Sequence, residues 1–292
     1  SSKAVGLASR EERGHMFGRL LARRVAVVTG GNKGIGFEIV KQLAAQKDVY
    51  TILTARSAEK GRAACDELKK AGVEVGFHSL DIADDSSIID FRDWIQQEHG
   101  GLDILCNNAG IAFKNADPTP FKDQADPTFK TNYWGTAAVC DALIPLMREG
   151  GSIVSVASQS GSSAFKAMSP EMKKKFVDPG LDRPGLDALA KKFCDDAKAG
   201  RHRQEGWANT CYGASKLAVI ALTRILASTL KSRNIICNCM CPGYCKTDMT
   251  SQRGYRSAAE GADTAVWLAT QNDEQRPTGK FFHDRKIIDL DP

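Results

Sequence analysis

Val25-Ala26-Val27-Val28-Thr29-Gly30-Gly31-Asn32-Lys33-Gly34-Ile35-Gly36 is the stretch that decides the fold. It opens as a short β-branched apolar run and turns through four glycines. It then passes into residues 35–45, whose apolar positions repeat with helical period. A strand delivered into such a turn, with a helix directly after it, suits a dinucleotide pyrophosphate. Glycines let the backbone bend sharply and approach the ligand, and the helix amino terminus offers unpaired N–H groups at a positive dipole end. Gly30, Asn32, Lys33, Gly34, Ile35 and Gly36 are the expected contacts. A Walker phosphate loop is excluded, because the glycines are not followed by a Lys-Ser or Lys-Thr pair. The plain alternative is a glycine-rich turn with no ligand.

Outward from this stretch the chain alternates. Residues 49–54, 73–80, 102–106, 152–156 and 235–240 are rich in β-branched and apolar side chains and are predicted strands. Residues 58–70, 86–98, 127–148, 214–230 and 258–269 are predicted helices. Strand and helix in alternation imply right-handed βαβ units, hence an α/β fold with a doubly wound parallel sheet and helices on both faces. Residues 163–205 break the rhythm. They are polar, with Lys173-Lys174-Lys175, Asp178-Pro179-Gly180 and Arg183-Pro184-Gly185, and contain two short amphipathic stretches at 168–176 and 186–199. This segment is read as a helical insertion at the sheet's edge or rim, too poor in apolar residues to be a second domain.

Of 292 residues, 42% are hydrophobic and 26% charged, an ordinary globular composition for one domain over 24–292. The net charge of +5 does not call for nucleic acid, but it suits an anionic cofactor. The lysine run reads as a solvated helix face. No apolar run approaches ~18 residues, so no membrane span is expected. The nine cysteines are odd in number and several sit in apolar runs, which argues for free thiols and a cytoplasmic location. Residues 1–23 are basic, with Arg10, Arg13, Arg19 and Arg23, but also carry Glu11 and Glu12. They are read as an extension outside the fold, disordered, appended or targeting-derived.

Two further features carry chemistry. The second predicted strand ends Leu53-Thr54-Ala55-Arg56, where an NAD site usually places a carboxylate for the ribose 2′-OH. Arg56, with Lys33, instead suits a 2′-phosphate, so NADPH is favoured over NADH; the alternative is a solvated arginine. Tyr212 and Lys216 stand four apart on a predicted helix and share a face. An ammonium beside a phenol lowers its pKa from ~10 and makes it a usable general acid. Cys237, Cys239 and Cys241 alternate and are read as small core side chains rather than metal ligands, and no metal is expected. Cys241 and Cys245 are expected near the nicotinamide and open to thiol reagents.

With these motifs in order, the chain resembles the short-chain dehydrogenase/reductases from about Arg24 to near its end. Thr29–Gly36, Asp81 with Ile82, Asn107-Asn108-Ala109-Gly110, Asn132, Ser158, Tyr212 with Lys216, and Pro242-Gly243 with Cys245 and Thr247 match the family's motifs in sequence order. The resemblance implies a single Rossmann-like domain and a catalytic set of Asn132, Ser158, Tyr212 and Lys216. It also implies cofactor contacts from Asp81, Ile82, Asn108, Ala109, Gly110, Tyr212, Lys216, Pro242, Gly243, Cys245 and Thr247. Ser158 and Tyr212 lie 212 − 158 = 54 positions apart, a gap similar to that of the monomeric NADPH-dependent carbonyl reductases, as are Asn108–Lys114, Asp117–Phe121 and Glu205-Gly206-Trp207. That implies a monomer acting on small carbonyl compounds such as quinones, aldehydes and ketones. Ser158, Gln159, Phe113, Tyr244 and Met249 are the expected substrate wall. Gln159, Ser160 and Tyr244 depart from the apolar residues usual there, which implies a more polar pocket. The alternatives are a selective hydroxysteroid, prostaglandin or pterin reductase, and an NADPH-binding regulator without catalysis.

Overall fold

The computed structural model describes residues 23–114, 116–271 and 276–290. The extension expected over 1–23 therefore lies outside the described residues, Arg23 excepted.

Both faces of the sheet are apolar, and that is why its strands read as continuous runs. Along strand β1 (Arg24–Val28), Val25 and Val27 point into one core, Ala26 and Val28 into another. Burial on two sides is the mark of parallel strands covered by helices. The other strands are β2 (Val49–Ala55), β3 (Gly76–Ser79), β4 (Leu102–Asn107), β5 (Met147–Val156), β6 (Ile236–Cys241), β7 (Phe281–His283) and β8 (Lys286–Ile287). They form one sheet in the order β3-β2-β1-β4-β5-β6-β7-β8. Every pairing is parallel except β7 with β8. The chain reverses direction across the sheet between β1 and β4, and the crevice at their carboxyl ends is where such folds take ligands.

Helices α1 (Gly34–Ala44), α2 (Ala58–Lys70) and α3 (Asp85–His99) follow β1, β2 and β3. After β4 come α4 (Phe121–Phe129), a π-helical turn (Lys130–Gly135) and α5 (Thr136–Leu143). The single helix expected over 127–148 is thus divided, and β5 already begins at Met147. Pro145 explains the early stop: it lacks an N–H and restricts Ile144, so the chain leaves the helix through a tight 3₁₀ turn at Ile144–Leu146. The third strand is shorter than expected, and β7 and β8 were not anticipated, being three and two residues long.

Past β5 lie α6 (Gln159–Lys166), α7 (Pro170–Val177), α8 (Arg183–Lys198) and α9 (Cys211–Thr229), then α10 (Ala258–Thr270) after β6. The insertion does not sit at the sheet's edge. Helix α8 packs on α4 and α9, one layer out from the sheet. Its Phe193 stacks on Phe129 at 5.1 Å and meets Trp207 edge-on at 5.4 Å. Asp196 is fully buried and accepts bonds from Lys192, Arg201 and the Trp207 indole at 2.8, 2.8 and 2.9 Å. Segment 163–205 therefore extends the main core rather than building its own.

Among the described helices, α9 alone is long and apolar enough to cross a membrane. Most of it is enclosed by the protein, as a central core helix is. All nine cysteines are free, and all but Cys65 are buried.

Candidate active site

The glycine turn is held open by a neighbouring strand end. The Thr29 hydroxyl accepts from the backbone N–H groups of Asn108 and Ala109, both at 3.0 Å. The Asn108 amide donates back to the carbonyls of Thr29 and Gly30 at 3.0 and 3.1 Å. Gly30 has φ +63°, a conformation costly for any residue with a side chain. A Cβ on Gly36 would lie 2.3 Å from the Gly30 carbonyl oxygen and from the Asn108 amide. The packing thus demands glycine, and it brings the α1 amino terminus against the turn.

Above this turn is a groove of about 500 Å³. Every cofactor contact expected from Gly30 to Gly110 borders it: Gly30, Asn32, Lys33, Gly34, Ile35, Gly36, Arg56, Asp81, Ile82, Asn108, Ala109 and Gly110. Arg56 is exposed on its rim. Lys33 does not stand beside it as a second free cation. Its Nζ bonds the Asp248 carboxylate at 2.8 Å, joining the glycine turn to the loop after β6. Asp248 was not anticipated; it comes from 215 residues along the chain, so no local signal marks it. Lys33 is the main cause that holds its carboxyl below the usual range.

A second cavity of about 330 Å³ adjoins the first and shares Ile35, Asn108, Gly110, Thr247 and Met249 with it. Ser158, Tyr212, Lys216, Pro242, Gly243, Cys245, Phe113 and Tyr244 all border it. Gln159 does not. It is exposed at the first position of α6, turned away from the cavity, while Ser160 lines it. Of the three residues expected to make the pocket more polar, Ser160 and Tyr244 therefore line it and Gln159 does not. Cys241 and Cys245 are only 4% and 1% exposed, and the Cys245 thiol donates to the Pro242 carbonyl at 3.2 Å. Neither is open to thiol reagents as expected, and burial raises the Cys245 pKa.

Three elements place the reacting groups. Ser158 lies two residues past the end of β5 and caps α6, its oxygen accepting from Ser160 N–H at 3.1 Å. Its hydroxyl also meets the Tyr212 phenol, an interaction that favours the phenolate. Thr210 caps α9 through Gly213 N–H at 3.0 Å, so Tyr212 and Lys216 project from the helix's first turns. Lys216 is buried, its ammonium 5.8 Å from the Tyr212 ring centre and 2.6 Å from the Val156 carbonyl it donates to. Burial lowers the Lys216 pKa to about 8. The expected lowering of Tyr212 is not found. Burial pushes the phenol up to about 12, against the opposing effect of its hydrogen bond with Ser158. A phenol so held stays protonated at neutral pH and so carries the proton that a general acid delivers.

Asn132 lies behind the cavity, in the π-helical turn. Its Oδ1 accepts from Ile111 N–H at 2.8 Å, and its Nδ2 donates to the Ile111 carbonyl at 2.9 Å and Ser215 Oγ at 3.0 Å. Ser215 in turn donates to the Tyr212 carbonyl at 2.8 Å. Both amide hydrogens are thus spent, leaving one Oδ1 lone pair for a water. Asn132 and Ser215 tie the catalytic helix to the loop after β4. Ser215 escaped sequence reasoning because it lies in the Tyr-x-x-x-Lys spacer, where nothing distinguishes it from an ordinary helix serine.

A doubly wound sheet, a glycine turn at its switch point and a Ser–Tyr–Lys set beyond β5 define a dinucleotide-dependent reductase. The chain belongs to the short chain dehydrogenase family, whose match spans residues 24–170 and 198–257. The unmatched 171–197 falls inside the insertion. The chain is 44% identical over 268 residues to carbonyl reductase (NADPH) 1 of Homo sapiens, covering 90% of this chain and 97% of that one. Among solved structures it is similar to salutaridine reductase from Papaver somniferum, with a TM-score of 0.81, 33% identity, and 90% and 100% of the two chains covered. Menthone neomenthol reductase from Mentha piperita gives 0.74, 31%, and 89% and 98%.

Proposed function

We propose that the chain reduces carbonyl groups of small molecules with NADPH, and that Tyr212 gives the proton to the carbonyl oxygen. The observation that carries this reading is the convergence of Ser158, Tyr212 and Lys216 in a cavity that opens directly into the glycine-turn groove. The groove's residues fit a dinucleotide: a close-packed glycine cradle, a helix amino terminus, and Arg56 where a 2′-phosphate would lie. When bound, the nicotinamide supplies the hydride. The chain's own residues manage the oxygen. Tyr212 donates its phenolic proton, and Ser158 donates a hydrogen bond to the same oxygen as charge develops there. Lys216, an ammonium below about pH 8, favours the tyrosinate left behind. Asn132 acts by position, through Ser215 and Ile111.

The substrates are quinones, aldehydes and ketones, held against Phe113, Tyr244 and Met249. Helix α8 covers α4 and α9, and on that ground we propose a monomer. The free thiols suit a reducing compartment such as the cytoplasm. To test the reading, NADPH absorbance is followed with menadione, an aromatic aldehyde and a ketosteroid. Turnover is expected with at least one, and its loss by ~10²-fold or more in Tyr212→Phe. No turnover with any of the three would sink the reading, and a fully active Tyr212→Phe would sink the proton-donor assignment.

A further inference from the structure

Asn132 sits in a turn that its own backbone bonds do not secure. π-Helical turns are rare, short and gathered at functional sites, and they last where neighbouring groups fix them. Each α-helical residue advances about 100°, so relaxing the Lys130–Gly135 turn by one residue would swing Asn132 away from its present partners. Ile111 and Ser215 hold the turn through Asn132 itself. The next residue, Tyr133, is held by a different part of the chain.

Tyr133 is fully buried, and its hydroxyl donates to Asp187 Oδ1 at 2.5 Å. Asp187 belongs to α8, in the insertion. Arg183, one turn earlier on α8, donates its Nε to the same oxygen at 2.8 Å. Its Nη1 and Nη2 reach the two carboxylate oxygens of Asp141 on α5 at 3.1 and 3.2 Å. The guanidinium also stands 6.0 Å from the Tyr133 ring centre. One helix of the insertion thus grips the turn at Tyr133 and the helix that continues from it at Asp141. Bonds to an ionised carboxylate are short and directional, which suits them to fixing a register. The grip is separate from the Asp196 cluster at the far end of α8, whose partners Lys192, Arg201 and Trp207 lie outside the turn. Residues 183 and 187 fall in the stretch that the family match omits. Tyr133, Arg183 and Asp187 border neither cavity.

We propose that Tyr133, Arg183 and Asp187 are positioning residues. Through them the insertion holds the π-helical turn in register, and with it the Asn132 amide that ties Ile111 to Ser215 and the Tyr212 end of α9. The proposal rests on the carbonyl-reduction reading and gives the insertion a part in it. No proton or hydride passes through these three residues.

The test follows a single turnover of enzyme-bound NADPH mixed with excess menadione, which separates chemistry from cofactor binding. Tyr133→Phe removes one hydroxyl, and Asp187→Asn removes the charge at unchanged shape. In each the single-turnover rate falls about fivefold or more, while the NADPH dissociation constant changes by about twofold or less, because misplacement at the reacting centre costs rate before affinity. Asp196→Ala is the control. It loosens the far end of α8, leaves the grip intact and keeps the rate within about twofold of wild type, as distant sites act independently. Wild-type rates in both Tyr133→Phe and Asp187→Asn overturn the proposal. So does a slowing matched by an equal loss of NADPH affinity, or one equally large in Asp196→Ala, since either traces the effect to general loosening. No turnover by wild type counts instead against the carbonyl-reduction reading beneath it.

Discussion

Lys216 is a buried ammonium whose pKa of about 8 lies close to working pH. Its protonated form predominates below that value and is lost as pH rises through it. Reduction is therefore expected to hold steady from pH 6 to about 8 and decline above, measured as kcat/KM at saturating NADPH. Tyr212, pushed up to about 12, contributes no break in that window. A decline that begins well below neutrality would count against Lys216 as the titrating group. Arg56 decides the cofactor at the same scale. It is exposed and has no ion-pair partner among the described residues, whereas Lys33 is shared with Asp248. Arg56→Asp is expected to weaken NADPH by ~10-fold or more and to leave NADH nearly unchanged, since only the former carries the 2′-phosphate. Parallel changes in the two dissociation constants would refute the assignment. Asp248→Asn frees Lys33 and is expected to tighten NADPH by a few-fold at most, because solvent largely screens an exposed pair.

At the scale of elements, what was legible followed from local physics. The β1–turn–α1 unit declares itself because both faces of β1 are buried and because Gly36 admits no side chain. Tyr212 and Lys216 share a face because helix geometry requires it. The π-helical turn at Lys130–Gly135 left no such trace, since the bonds that support it run from Asn132 to Ile111 and Ser215, far away in sequence. Asp248 was missed for the same reason: the loop after β6 brings it to the glycine turn from far along the chain. The insertion was misplaced because its polar composition hid a few large side chains, Phe176 and Phe193 among them, that join the main core. Its attachment rests on Asp196. Burial alone would raise that carboxyl, but Lys192, Arg201 and Trp207 hold it below the usual range. Its contribution is thus present above ordinary carboxylate pH and is lost on acidification through the depressed value. Asp196→Ala is expected to cost about 2 kcal/mol, because the Trp207 indole is left without its acceptor. Denaturant unfolding at pH 7, followed by tryptophan fluorescence, measures it, and the gap from wild type should close as pH falls below about 4. A variant as stable as wild type at pH 7 would show that Asp196 does not anchor the insertion.

Across the whole molecule, one sheet carries both cavities on the carboxyl ends of its strands, and the helices behind it serve to hold those ends still. The insertion thickens one side, over α4 and α9, without approaching the crevice mouth. The two cavities have no wall between them: Ile35, Asn108, Gly110, Thr247 and Met249 belong to both. That shared boundary has a consequence for the timing of events. A substrate entering first meets a chamber lacking one side, and once seated it obstructs the dinucleotide's reactive end. Arrival is thus compulsory in sequence, coenzyme before carbonyl compound, with departure in reverse. Oxidised coenzyme should inhibit competitively against the reduced form at every concentration of the second reactant, whereas the alcohol product should not.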